Sequence, residues 1–192
     1  VTRGAGIRNR AQVFGNLAKN PLLKRSCCRP CAAAETAPRP HRAICALAET
    51  LADALHELVP AQYDANVAAL ADVHRAWLLP GGLWTSGVVN LSSALPYHRD
   101  RNNFNAWSAM PVVRRGVRGG HLHFPELEVD GIPLVAPCAD GDVLLFNGQH
   151  FMHAIGIKGS ERDLCRSIRL QGERDALPSV LAAQFSAATP PR

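Results

Sequence analysis

The sequence predicts a mostly-β domain of the α+β kind: an antiparallel sandwich or barrel with helices buttressing one outer face. Two observations point there. From Leu83 onward, short β-type runs follow one another closely, separated by Gly, Pro and Asp. Ahead of them, two stretches place apolar residues at helical spacing. With 192 residues and no internal repeat, one domain can bury a real core.

Taken in order, residues 1–41 read as a basic, disordered leader, broken by Pro21, Pro30, Pro38 and Pro40. The domain is expected over residues 42–192. Arg42 to Val59 carries Ile44, Leu47, Leu51, Leu55 and Leu58 on one helical stripe, and Pro60 stops it. A second helix is expected over 61–79, with Tyr63, Val67, Leu70, Val73 and Trp77 in line. His56 and His74 sit in these helices and read as surface or core-edge residues. Strands are expected over 83–92, 109–115, 120–124, 132–137, 142–147, 153–157 and 165–171. The stretch 177–188, "LPSVLAAQFSAA", reads as a terminal helix.

Composition narrows the function classes. Hydrophobic residues make up 47% and charged residues 19%, ordinary for a globular chain. No apolar run reaches the roughly 18–20 residues a membrane-spanning helix needs. The chain opens on Val1, as expected of a piece or a processed product, and its first residues lack the apolar core of a secretory signal. The net charge of +5 is concentrated early: nine basic residues and one acid, Glu35, precede Ile44. A basic balance suits a nucleic-acid partner without requiring one. Of the six cysteines, Cys28 and Cys31 form a lone C-x-x-C that His41 could extend towards a zinc site. The plainer reading is free thiols in a reducing, intracellular compartment, the nucleus or an organelle.

Chemistry concentrates in "YHRDRNNFN", Tyr97 to Asn105. In an extended strand His98 and Asp100 share one face and Arg99 takes the other. A third ligand would complete a two-histidine, one-carboxylate set, which fills one face of an iron(II) ion and leaves the rest open. "GDVLLFNGQHFMHAIGI" supplies it. His153 heads a strand between apolar pairs and is preferred, with His150, three residues earlier, as the competitor. His121 and His123 form a further pair on one strand face, read as the outer side of a half-exposed strand. An anionic co-substrate would be held by an arginine fork. Arg166 lies in the better strand and is chosen, with Arg162 second; Arg169 takes the opposite face.

These segments resemble a known family. "LWTSGVVNLSSALPYHRD", "HRDRNNFNAWSAMPVV", "GGHLHFPEL" and "GDVLLFNGQHFMHAIGI" stand in the order seen in iron(II)/2-oxoglutarate dioxygenases, and are most similar to the TET/JBP branch. The resemblance covers about residues 82–171. It implies a double-stranded β-helix, or jelly roll, with Fe(II) held by His98, Asp100 and His153. It implies 2-oxoglutarate and O2 as co-substrates, with ascorbate as the alternative to 2-oxoglutarate. The expected reaction is oxidation of the methyl group of 5-methylcytosine or thymine in DNA, with Asn103 at the pyrimidine edge. The competing expectations are the same iron chemistry on a protein side chain or small molecule, and a non-catalytic jelly-roll binding module.

Overall fold

A computed structural model describes residues 10–20, 24, 26–91, 95–115, 120–155 and 179–186; for Arg10, Arg115 and 179–186 it describes the backbone alone. Among the described residues, ten strands form two antiparallel sheets. In chain order they are β1 (Arg10–Leu17), β2 (Arg29–Pro30), β3 (Ser86–Leu91), β4 (Leu95–His98), β5 (Ser108–Arg115), β6 (Leu122–Val129), β7 (Ile132–Ala136), β8 (Val143–Phe146), β9 (His153–Ile155) and β10 (Ser179–Ser186). The major sheet runs β2-β1-β3-β10-β5-β8 and the minor sheet β4-β9-β6-β7. From β3 to β10 the chain keeps switching between the two sheets; only β6 and β7 are consecutive within one. Their hairpin turns on Asp130 and Gly131, with φ of 54° and 75°, the paired positive angles that match the strand twist.

Alternation along β5 divides the core. Met110 and Val112 point between the sheets and pack with Leu122, Phe124, Cys138 and Phe146. Ala109 points the other way, into a second cluster under the helices. There α2 (Pro38–Leu58) lays Cys45, Ala48, Leu51, Ala52 and Leu55 against Phe14, Leu79, Leu83 and Trp84. Each such fully buried leucine is worth about 1.5–3 kcal/mol. A short helix α1 (Ala33–Thr36) precedes α2, and α3 (Pro60–Ala69) follows it. Asn66 of α3 is 0% exposed. Its side chain meets the backbone of Trp107 twice, donating to the carbonyl at 3.0 Å and accepting from the amide at 2.9 Å. The Trp84 indole donates to the same Trp107 carbonyl at 3.0 Å. These bonds fix the entry of β5.

Four expectations are corrected. Residues 10–17 and 29–30 are strands rather than leader, and β1 pairs along β3 from Arg10↔Leu91 to Gly15↔Ser86. Gly15 makes that close approach feasible: its φ is +76°, and a Cβ there would sit 2.7 Å from the Thr85 carbonyl oxygen. Pro38 begins α2 instead of breaking the chain, because the first turn needs no N–H from it. The second helix ends at Ala69, and a 3-10 turn over Arg75–Trp77 follows, with the Ala76 amide donating to His74 Nδ1 at 3.2 Å. The stretch 179–186 is a strand, not a helix: β10 is paired on both edges, with β3 and with β5. The mostly-β jelly roll with buttressing helices stands as expected. The expected strand 165–171 lies outside the described residues.

Candidate metal centre

β4 and β9 are neighbours, and their register sets His98 directly opposite His153. β4 ends at His98, so Asp100 is not in the strand, contrary to expectation. The chain turns instead, with the Asp100 amide donating to the Gly148 carbonyl at 2.9 Å and the Asn103 amide to the Asp100 carbonyl at 2.9 Å. The turn still brings the carboxylate to the imidazoles. His98 Nε2 lies 3.5 Å from Asp100 Oδ1, and His153 Nε2 lies 3.9 Å from Asp100 Oδ2. All three ligand atoms fall within 4.8 Å of one another, and among the described residues no other three His, Cys, Asp or Glu side chains do so.

Hydrogen bonds set the polarity of the two rings. His98 Nδ1 donates to the Pro96 carbonyl at 2.7 Å, and His153 Nδ1 to the Phe151 carbonyl at 3.0 Å. With the proton committed at Nδ1, each Nε2 presents a lone pair to a carboxylate. With both rings in that form, the three ligand atoms converge closely enough to share one cation. This is also how ligating histidines are held, the far nitrogen donating to a fixed backbone oxygen. The donor set fits iron(II): two imidazoles and one carboxylate on one side, with the other side open.

The environment is asymmetric. His153 is 2% exposed, with Phe146 edge-on to it at a ring-centroid distance of 5.2 Å and Phe124 tilted against it at 6.4 Å. Burial pushes its imidazole below the ordinary histidine range. His98 is partly exposed, and the hydrogen bond to Asp100 pushes its pKa up. The site therefore has a dry apolar wall behind His153 and a mouth beside His98 and Asp100.

The other candidates sort as follows. Asn103 lies against the triad, its Nδ2 donating to Asp100 Oδ2 at 3.2 Å. His150, the competing ligand, is exposed and outside the triad; its ring packs on Phe151. His123 is on the strand face opposite Leu122 and Phe124, yet it is 5% exposed, so that face is buried rather than half-open. His121 accepts from the Cys138 amide at 3.2 Å. His56 is exposed and stacks on Tyr63. Arg162, Arg166 and Arg169 lie outside the described residues, and the central strand β10 contains no Arg or Lys. The zinc reading does not assemble: His41 Nε2 accepts from the Gly15 amide at 3.0 Å and faces Cys45 Sγ at 3.6 Å. Cys28 instead lines a pocket of about 230 Å³ with Asn16, His74, Trp77 and Thr85, which shares no residue with the triad.

Sequence reasoning missed the residues that join the two ligand-bearing loops. Asn147 Oδ1 accepts from the amides of Gln149 and His150 at 3.1 Å and 3.0 Å, and its Nδ2 donates to Asn105 Oδ1 at 2.7 Å. Gln149 Nε2 donates to the Asn103 carbonyl at 2.8 Å. Arg99 forms an ion pair with Glu126. The cluster of Asn and Gln in "RNNFN" and "FNGQ" was the available signal.

Two antiparallel sheets with this strand exchange define the class by fold: a double-stranded β-helix, or jelly roll, with the His98–Asp100–His153 cluster at one mouth. Within it, the structure is similar to NgTET1, solved in complex with 5mC DNA, with a TM-score of 0.63 and 12% identity over 95% of this chain. The expected likeness to the TET/JBP branch is thus met at the level of the fold. This chain spans 62% of the NgTET1 chain. OsALKBH1 aligns over 96% of this chain and 81% of its own, with 14% identity and a TM-score of 0.45, too slight a likeness to argue from. No family profile and no curated protein matches the sequence. Among the described residues no helix is long and apolar enough to cross a membrane.

Proposed function

We propose that the chain is an iron(II)- and 2-oxoglutarate-dependent oxygenase that oxidises the methyl group of 5-methylcytosine or thymine in nucleic acid. The observation that carries the chemistry is the convergence of His98, Asp100 and His153, with both Nδ1 atoms committed to backbone carbonyls. Bound iron(II), with 2-oxoglutarate and O2, supplies the oxidising power to put oxygen into a C–H bond. His98, Asp100 and His153 hold it. Phe124 and Phe146 keep water from the inner side, and Asn103 keeps the Asp100 carboxylate turned inward. Support for the substrate class comes from the fold shared with NgTET1 and from the positive charge balance.

One Nδ2 hydrogen of Asn103 is spent on Asp100, which leaves a second hydrogen and Oδ1 as donor and acceptor for a pyrimidine edge. Arg166, then Arg162, is proposed as the anchor for the far carboxylate of 2-oxoglutarate; ascorbate is the alternative co-substrate. The setting that goes with this substrate is intracellular, nuclear or organellar. A protein side chain or small molecule is the second reading. It is favoured by one short connection beside the site: among the described residues β8 and β9 are joined by residues 147–152 alone, little with which to grip a duplex.

The test is aerobic incubation with Fe(II) and a 5-methylcytosine duplex, with either 2-oxoglutarate or ascorbate, followed by mass spectrometry of the nucleosides. Hydroxymethylcytosine that disappears in His98→Ala is the expected result. Co-substrate consumption at the same rate with methylated, unmethylated or no DNA, and no oxidised base, would overturn the nucleic-acid reading.

A further inference from the structure

Arg99 lies between two ligands in sequence and points away from the metal centre, yet it is not idle. Its guanidinium pairs with Glu126 Oε1, and its Nε donates to the His150 carbonyl at 3.0 Å. Glu126 belongs to β6, a strand that contributes no ligand. Its second oxygen, Oε2, accepts from the Met152 amide at 3.1 Å. That amide shares a peptide plane with the Phe151 carbonyl, the oxygen that receives His153 Nδ1–H at 3.0 Å. In a trans peptide the N–H and C=O point in opposite directions; the chain has no cis bond among its described residues. Glu126 and the His153 ring therefore grip one peptide plane from its two sides.

We propose that Glu126 is a positioning residue for His153, acting through the Phe151–Met152 peptide plane and held in place by Arg99. The inference rests on the metal-centre reading above. Two effects follow from the geometry. The plane is fixed in rotation, so the imidazole cannot turn its Nε2 away from Asp100. A carboxylate on the N–H also polarises the peptide and makes the Phe151 oxygen a better acceptor, which keeps the proton on Nδ1 and the lone pair on Nε2. The Met152 amide, ahead of Arg99, holds the Glu126 carboxyl below its ordinary range, so the clamp stays charged at neutral pH. Arg99 adds a second link, because the residue that secures Glu126 also joins His98 to Asp100.

The experiment compares wild-type protein, Glu126→Ala, Glu126→Gln, Arg99→Met and the double variant Arg99→Met/Glu126→Ala. Thermal unfolding verifies that each is folded. Two quantities are read: Co(II) affinity by competitive titration, and the His153 tautomer in metal-free protein by nitrogen NMR. Glu126→Ala is expected to weaken Co(II) about tenfold and to give His153 a mixture of tautomers. Glu126→Gln, whose amide oxygen can still accept from Met152, should lose less than about threefold. The double variant should be no worse than Glu126→Ala, because both act along one path. A Glu126→Ala protein with wild-type affinity and an unchanged His153 tautomer would overturn the proposal while leaving the metal centre standing. Wild-type protein that takes up no Co(II) would overturn the metal-centre reading and the inference with it.

Discussion

Replacing Asp100 by Asn keeps the size of the side chain and removes the one negative charge in the centre. In the folded protein Asp100 faces His98 Nε2 at 3.5 Å and His153 Nε2 at 3.9 Å. Without a metal, the pair with the partly exposed His98 is worth only about 0–1 kcal/mol, so the variant should unfold within a few degrees of wild type. With a metal the difference is large. At a Co(II) concentration about 100 times the wild-type Kd, binding adds about 2.7 kcal/mol. For a domain of this size that raises Tm by about 5–10 °C. Loss of a direct anionic ligand should weaken binding at least about 100-fold, beyond the effect of losing an outer partner. At the same Co(II) concentration the variant then gains only about 0.4 kcal/mol, or about 1 °C. Differential scanning fluorimetry with and without Co(II), under nitrogen, reads both numbers. A variant that shows the full wild-type shift would refute the assignment of Asp100 as a ligand.

Metal binding should weaken as pH falls. Asp100 holds the proton of His98 above the ordinary histidine pKa of 6.5, and the metal has to displace that proton; calorimetry in buffers of different ionisation enthalpy should show proton release at and below neutrality. The absence of any buffer dependence would count against His98 as a ligand. Asn66→Ala removes both bonds to Trp107 and the one from Gln62 Nε2, and should cost about 3 kcal/mol, lowering Tm by about 6–12 °C with Co(II) affinity unchanged. On the proposed anchoring of 2-oxoglutarate, Arg166→Ala should raise its KM at least about tenfold, the expected loss of a charge-assisted fork, while leaving Co(II) affinity intact; if Arg162→Ala does this instead, the anchor is Arg162.

What could be read from residues alone was the part that local pattern dictates. The run "AMPVVRR" read as a strand, and it is one: in β5 Met110 and Val112 face one core and Ala109 the other. Residue type and strand position picked His98 and His153, and the structure sets them opposite each other. Elements whose stability comes from distant neighbours escaped. β10, "SVLAAQFS", has no decisive period and is a strand because β3 and β5 flank it. β1 mixes polar and apolar residues and lies in a basic stretch; β3 and the glycine at position 15 define it. Asp100 was placed beside His98 by strand alternation, but a turn bonded to Gly148 is what aims its carboxylate. Glu126 stands in the stretch "GGHLHFPEL" but was given no role, because its contacts to Arg99 and Met152 lie on other segments.

The most direct test is the structure of crystals grown with Fe(II) or Co(II) under nitrogen, with anomalous scattering at the metal edge. The account predicts one ion per chain, about 2.0–2.2 Å from His98 Nε2, an Asp100 carboxylate oxygen and His153 Nε2. An ion bound elsewhere, or a fully loaded protein in which His153 does not ligate, would contradict it.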